Sequence, residues 1–323
     1  MFRVHDAEAR LTPSRSNRMR RAPWRGATRL AIAACVLSLA VLAPWGTGVG
    51  CVVGPTTMRA LPVEARTYLD IPYVEGGHER QVLDLFLPAA AEPTPLVIWV
   101  HGGGWNAGDK SRNPARRLVE QGYAVAGVNY RYSRHAIFPA QIHDVCAAVR
   151  FLRANHRKYN LDPDRFAAWG ASAGGHLVAL LGVAGDVPEI VGREGSYPGE
   201  SSRVQAVIDW FGATELRKPD ELPLNSNRIK LLGGRSEEKP ELAALASPLA
   251  FVSPGDTPVL IMHGDRDGTV DLEHSRRFEQ ALRAAGVDVT LVVVEGAGHG
   301  GDKFYTPEMK RAVDAFLSRT IGR

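Results

Sequence analysis

Three residues of this 323-residue chain have the types and the order that acyl transfer needs. Ser172 lies in "WGASAGGH" (169–176), between Gly170 and Gly174. Gly-x-Ser-x-Gly alone is weak, because glycine and serine also cluster in ordinary turns. A serine hydroxyl is a poor nucleophile until a base takes its proton. His299, in "EGAGHG" (295–300), can be that base, provided an acid orients its ring and stabilises its protonated form. "HGDRDGTV" (263–270) offers Asp265 and Asp267. Asp267 is the preferred acid, with Asp265 tying down the turn. A calcium loop would need a glutamate at its twelfth position, where Arg276 stands.

"HGGGW" (101–105) supplies the remaining part. Its glycines allow close approach of backbone to substrate, so Gly103 and Gly104 are assigned as oxyanion donors together with the N–H of Ala173. A phosphate-binding role lacks the following Gly-Lys-Ser/Thr. His101 is read as holding this loop, and Trp105 as walling the substrate pocket or packing beside it.

These residues need a scaffold that brings distant loops to one edge. PLVIWV (95–100), AVAGVNY (124–130), RFAAWG (165–170), VQAVIDWF (204–211), PVLIMHG (258–264) and VTLVVVEG (289–296) are short apolar runs. Such runs suit strands covered on both faces. YLDIPYV (68–74) and RQVLDLFL (80–87), joined by Gly76-Gly77, add an antiparallel edge. Helical stretches alternate with the strands; the clearest is 139–155, with apolar residues three and four apart. The expectation is an α/β fold: a mostly parallel eight-stranded sheet, helices on both faces and a small partial cap. Residues 186–203 and 213–256 are expected to lie over the carboxyl edge of the sheet and to set specificity. Ser172 then sits where a strand turns sharply into the helix AGGHLVALLG. The chain order Ser172, Asp267, His299 is that of an α/β-hydrolase.

With these motifs, "GDK" (108–110), "NYR" (129–131), "FPAQIHDV" (138–145) and "NLDPDRFAAWGASAGGHLVALL" (160–181), the chain resembles the bacterial esterase/lipase group of α/β-hydrolases. Within that group it is most similar to the BD-FAE-type branch of feruloyl and acetyl-xylan esterases, over roughly residues 68–320. The resemblance implies Ser172 as nucleophile, His299 as base and Asp267 as acid. Asp271 and Ala213 stand where relatives often have proline, which bears on substrate preference.

The overall charge of +4 comes from the first 51 residues, which hold eight arginines and two acids. Beyond them 31 basic and 33 acidic residues remain, which excludes nucleic acid as a partner. Leu30–Ala43 is a fourteen-residue uncharged run behind those arginines, as in a signal peptide, and is short for a membrane span. Residues 1–51 are therefore read as an export leader, 52–67 as a tether and 68–323 as the catalytic domain. Cys51 follows a small-x-small cleavage site and is a candidate lipid anchor; Met19 is a candidate start. Arg20-Arg21 hints at twin-arginine export, although the residues after the pair fit poorly.

Cys146 is the one cysteine beyond the leader and lies on an apolar helix face, so it reads as a buried hydrophobe. His143 and Asp144 are expected to fix their helix to the "NYR" loop, and His176 to pack. No cofactor or metal is implied. The expected function is an exported serine carboxylesterase acting on short or medium acyl esters, free or linked to polysaccharide. An amidase or peptidase on the same residues, and a non-catalytic binding protein, are the rivals.

Overall fold

The computed structural model describes residues 64–218 and 226–322. They lie within the compact unit Ala60–Arg323. The leader, Cys51, Met19 and most of the tether fall outside the described residues.

Eight strands form one sheet: β1 (Arg66–Pro72), β2 (Val82–Leu87), β3 (Thr94–Val100), β4 (Ala124–Val128), β5 (Leu161–Ala171), β6 (Ala206–Trp210), β7 (Val259–Gly264) and β8 (Val289–Val294). Their order is β1-β2-β4-β3-β5-β6-β7-β8. β2 runs antiparallel to both β1 and β4, and every other pairing is parallel. β1 begins at Arg66, which pairs with Leu87.

The apolar runs behave as sheet physics requires. β3, β4, β6 and β7 are buried along their whole length. β8 is equally apolar in sequence, yet as the edge strand it leaves Val293 44% exposed. Helices α1 (Ala140–Ala154), α2 (His156–Tyr159), α3 (Ala173–Ala184), α4 (Pro188–Val191), α5 (Asn227–Leu232), α6 (Pro240–Leu245), α7 (Glu273–Ala284) and α8 (Pro307–Thr320) complete the fold. Residues of α1, α3 and α7 share one core with one face of the sheet. The 3₁₀ turn Pro114–Gln121 and α8 cover the other face, over Trp99, Trp169 and Trp210. Every residue of α3 is buried, as a helix apolar all round must be.

From β3 the chain crosses to β4 on one side, then returns to β5 on the other. The order therefore reverses between β3 and β5, and open α/β sheets bind ligands at such switch points. The loop after β3 is HGGGW, and the turn after β5 holds Ser172.

One expectation is corrected. Residues 186–203 follow α3, which runs back from the carboxyl edge, and they pack along α1 rather than over Ser172. Arg150 donates to the carbonyls of Val191 and Glu194, and Arg153 to those of Ser201 and Arg203. Proline and glycine content marked this stretch as a loop but could not tell which edge a helix delivers it to. The partial cap comes from the 213–256 stretch, whose Ser226, Asn227 and Arg228 line the cavity beside Ser172.

Candidate active site

Ser172 has φ 55° and ψ −117°, a conformation unusual for a residue with a side chain. Such strain costs about 1–3 kcal/mol and persists only where its surroundings hold it. The Ser172 N–H donates to Trp210 O at 2.8 Å, and Ser172 O accepts from His176 N at 2.9 Å. The flanking glycines are steric requirements. A Cβ on Gly170 would lie 2.2 Å from Gly174 O, and one on Gly174 would lie 2.1 Å from Val100 O. Backbone oxygens cannot swing aside, so Gly174→Ala is expected to cost about 1–3 kcal/mol as an overpacked core site. A urea titration against wild type checks this; an unchanged midpoint would contradict it.

Ser172 Oγ is 2.8 Å from His299 Nε2, and His299 Nδ1 is 2.7 Å from Asp267 Oδ2. A carboxylate only accepts, so Nδ1 carries the proton and Nε2 is left to take one from the serine. Asp267 Oδ1 accepts the N–H groups of Thr269 (2.8 Å) and Val270 (3.0 Å), which turns the other oxygen toward the imidazole. Burial would raise the Asp267 pKa, but the Val270 N–H, His299 and the Thr269 N–H outweigh it and hold it below the usual carboxylate range. Asp265 does what was expected of it: its Oδ1 accepts from Gly296 N at 2.6 Å, pinning the turn after β7 to the one after β8.

The HGGGW loop lies against the serine, since a Cβ on Gly102 would be 3.3 Å from Ser172 Cβ. Gly103 (φ 110°) and Gly104 (φ 58°) adopt backbone conformations that favour glycine. Among the described residues, the N–H groups of Gly103, Gly104 and Ala173 meet no protein acceptor. Ala173 opens α3, so its N–H has no intrahelical partner and its end of the helix is partly positive. His101 braces this loop from beneath. Its Nδ1 donates to Gly102 O (2.7 Å), its Nε2 faces Arg80 Nη2 (3.1 Å), and it stacks on Tyr130. Burial lowers its pKa to about 4, so it is neutral and structural.

Two clefts open near this site, one of them lined by Ser172 itself. One, about 270 Å³, is lined by Ser172, Gly104, Ala173, Trp105, Ala213 and Val270 with the cap residues. Trp105 both walls this cleft and packs, donating its indole N–H to His176 Nδ1 at 3.1 Å. The other, about 370 Å³, lies across Gly102 and Gly103 toward Gly300, and is lined by Phe211, Trp210, Tyr305, Asp109 and Arg112.

Comparison with known proteins places this arrangement. The BD-FAE family model matches residues 83–282, more than half of the chain. The chain belongs to the BD-FAE family. Esterase LipQ of Mycobacterium tuberculosis is 31% identical over 267 residues, covering 79% of this chain. The chain spans 62% of LipQ, less than two thirds of that relative's length. Among solved structures, a truncated carbohydrate esterase from gut microbiota superposes with a TM-score of 0.76 at 31% identity, covering 82% of this chain and 99% of that one. A thermophilic esterase of the Planctomycetes species Thermogutta terrifontis gives a TM-score of 0.65 at 26% identity, covering 79% and 92%. Family, relatives and fold together support a carboxylic ester hydrolase.

The remaining motifs of this BD-FAE chain are braces. Asp109 of "GDK" accepts from Asn129 of "NYR" at 3.0 Å, and Lys110 pairs with Asp70 and Asp84 at 2.8 Å each. Asp144 holds Arg131 as expected. His143 does not join it: successive helix positions point about 100° apart, and His143 instead contacts Glu194 Oε1 and Glu189 O. His176 packs as expected, fully buried, with Nε2 donating to Ala246 O. Cys146 is buried and its thiol is pushed up to about 12 by that burial, so it is inert.

Three neighbours of the site escaped the sequence reading. Phe211 (φ 44°) packs its ring edge-on to His299 at 4.7 Å. Asp209 is buried on β6 with a carboxyl raised by burial to about 7, and a Cβ on Gly175 would fall 2.4 Å from its Oδ1. His263 interrupts the apolar strand β7, and a polar residue in such a run signals a hydrogen-bonding role.

Proposed function

We propose that this chain is an exported serine carboxylesterase that hydrolyses short acyl esters, including acetyl esters on polysaccharide. The observation that carries the chemistry is the continuous Ser172–His299–Asp267 hydrogen-bonded chain at the switch point of the sheet. Ser172 Oγ attacks the ester carbonyl as His299 Nε2 takes its proton, and Asp267 stabilises the imidazolium. The carbonyl oxygen becomes an oxyanion facing the N–H groups of Gly103, Gly104 and Ala173. When the C–O bond breaks, His299 returns the proton to the departing alcohol. Water, activated by the same histidine, then releases the acid and frees the serine.

The cleft dimensions support short acyl groups. About 270 Å³ lies below the roughly 300–1,000 Å³ usual for drug-sized ligands, and Trp105 closes one wall. The Thermogutta esterase has been solved with propionate and with butyrate. The wider cleft beside Gly300, with aromatic and polar residues together, suits an alcohol as bulky as a sugar. Similarity to a gut carbohydrate esterase supports that substrate side. The Arg-rich leader before Leu30–Ala43 supports export, with Cys51 as the candidate anchor.

Hydrolysis of p-nitrophenyl esters from acetate to decanoate, beside matched p-nitroanilides and acetylated xylan, tests the reading. Turnover is expected to peak at about two to four acyl carbons, roughly tenfold or more above decanoate. Acetate release from the xylan is expected, with little anilide cleavage. A flat absence of ester turnover from folded protein would sink it, and a preference for anilides would make the protein an amidase.

A further inference from the structure

A second histidine stands behind the acid. His263, next to last in β7, is fully buried, as is Ser275 near the start of α7. His263 Nε2 lies 2.9 Å from the carbonyl oxygen of Val270 and 3.2 Å from Asp267 Oδ2. Both partners only accept, so Nε2 carries a proton. Burial lowers the imidazole's pKa, more than the Val270 carbonyl and Asp267 raise it, and the ring is neutral. Its Nδ1, 2.6 Å from Ser275 Oγ, must then accept, with the Ser275 hydroxyl as donor. Behind Asp267 therefore stand His263, 3.2 Å from its Oδ2, and Ser275, bonded to His263, two residues the proposed reaction does not use.

We infer that His263 is a positioning residue for the reaction. Its Nε2–H, aimed by Ser275 and bonded to Val270 O, sets its positive end 3.2 Å from the same Asp267 oxygen that holds His299 and so helps fix that carboxylate. The inference rests on the reading of Ser172, His299 and Asp267 as the reacting groups. The physical need is plain. The Asp267 side chain is 0% exposed, and a buried carboxylate must have its charge met by donors or lose it. Thr269 and Val270 supply two donors on Oδ1, leaving Oδ2 to the two imidazoles. The Nε2–H bond to Val270 O also anchors the loop whose N–H groups turn the acid. Phe211 lies edge-on to both rings, its centroid 4.7 Å from that of His299 and 6.4 Å from that of His263. The titratable groups facing Asp267 are these two histidines; His274 on α7 stands behind His263.

His263→Met fills the space without a donor, whereas His263→Gln restores an N–H near the position of Nε2. With p-nitrophenyl acetate, the Met variant is expected to lose roughly 10–100-fold in kcat with KM little changed. The acid limb of its kcat/KM profile should move to higher pH, because Asp267 without the His263 N–H beside it turns more of its negative charge on His299 and favours the protonated imidazole that cannot act as base. Gln recovers most of the loss, and Ser275→Ala moves the profile the same way by less. Wild-type kcat and pH profile in a folded Met variant would overturn the inference. Equal losses in Met and Gln with an unmoved profile would also overturn it, marking His263 as filler. ¹⁵N NMR of histidine-labelled wild type reads the ring without turnover or mutation. An Nε2–H tautomer is expected, and an Nδ1–H tautomer overturns the inference even if ester hydrolysis itself had failed.

Discussion

Ser172→Ala is expected to lower ester turnover by roughly 10⁴–10⁶-fold while leaving the fold intact. The hydroxyl is bonded to His299, and the strained turn is held by backbone contacts to Trp210 O and His176 N that alanine keeps. Alanine has the same Cβ, so the substitution removes the reacting atom and little else. Residues that act as one device lose function as one device. Ser172→Ala combined with His299→Ala is therefore expected to be no slower than Ser172→Ala alone. Steady-state kinetics on p-nitrophenyl acetate, with thermal melts alongside, check both statements. A further large drop in the double variant would mean that His299 acts separately from the serine.

Asp267→Asn is expected to lower kcat by about 10⁴-fold without unfolding the protein. The size follows from where each oxygen points. Oδ1 accepts two backbone N–H groups, from Thr269 and Val270, so the amide oxygen of asparagine is held there. Its NH₂ must then face His299 Nδ1 and His263 Nε2. His299 answers by moving its proton to Nε2, where it points at the serine and can no longer accept. His263 meets a donor with a donor. Kinetics across pH, together with a melt, measure the effect; activity within tenfold of wild type would show that the acid's charge is dispensable.

The residues proposed to carry the chemistry were legible because each is marked by local structure. Ser172 stands where an apolar strand ends in small residues and a helix begins, and Asp267 and His299 follow apolar runs at the same sheet edge. Strand alternation was legible for the same reason: β3, β4, β6 and β7 are buried on both faces and read as unbroken apolar runs. What was not legible depends on direction and partner. The stretch 186–203 was recognisable as a loop, but its position along α1 follows from α3 running back across the sheet. His143 and Asp144 are adjacent in sequence and point to different neighbours, a matter of helix rotation that composition cannot rank. Phe211 looks like one more core aromatic until β6 and the loop after β8 are placed side by side. His263 left a signal, a polar residue inside "PVLIMHG", but its partners Asp267 and Ser275 become apparent only once the loop and α7 fold back over it.

The central claim is that Ser172 becomes covalently acylated, and mass spectrometry tests it most directly. Protein incubated with the organophosphate paraoxon, then digested and mapped, should carry one diethylphosphoryl group on the peptide containing Ser172, and none after Ser172→Ala. The comparison is apt, since the Thermogutta esterase has been solved phosphorylated by paraoxon. An unmodified wild-type protein, or a phosphoryl group on any other residue, would contradict the account.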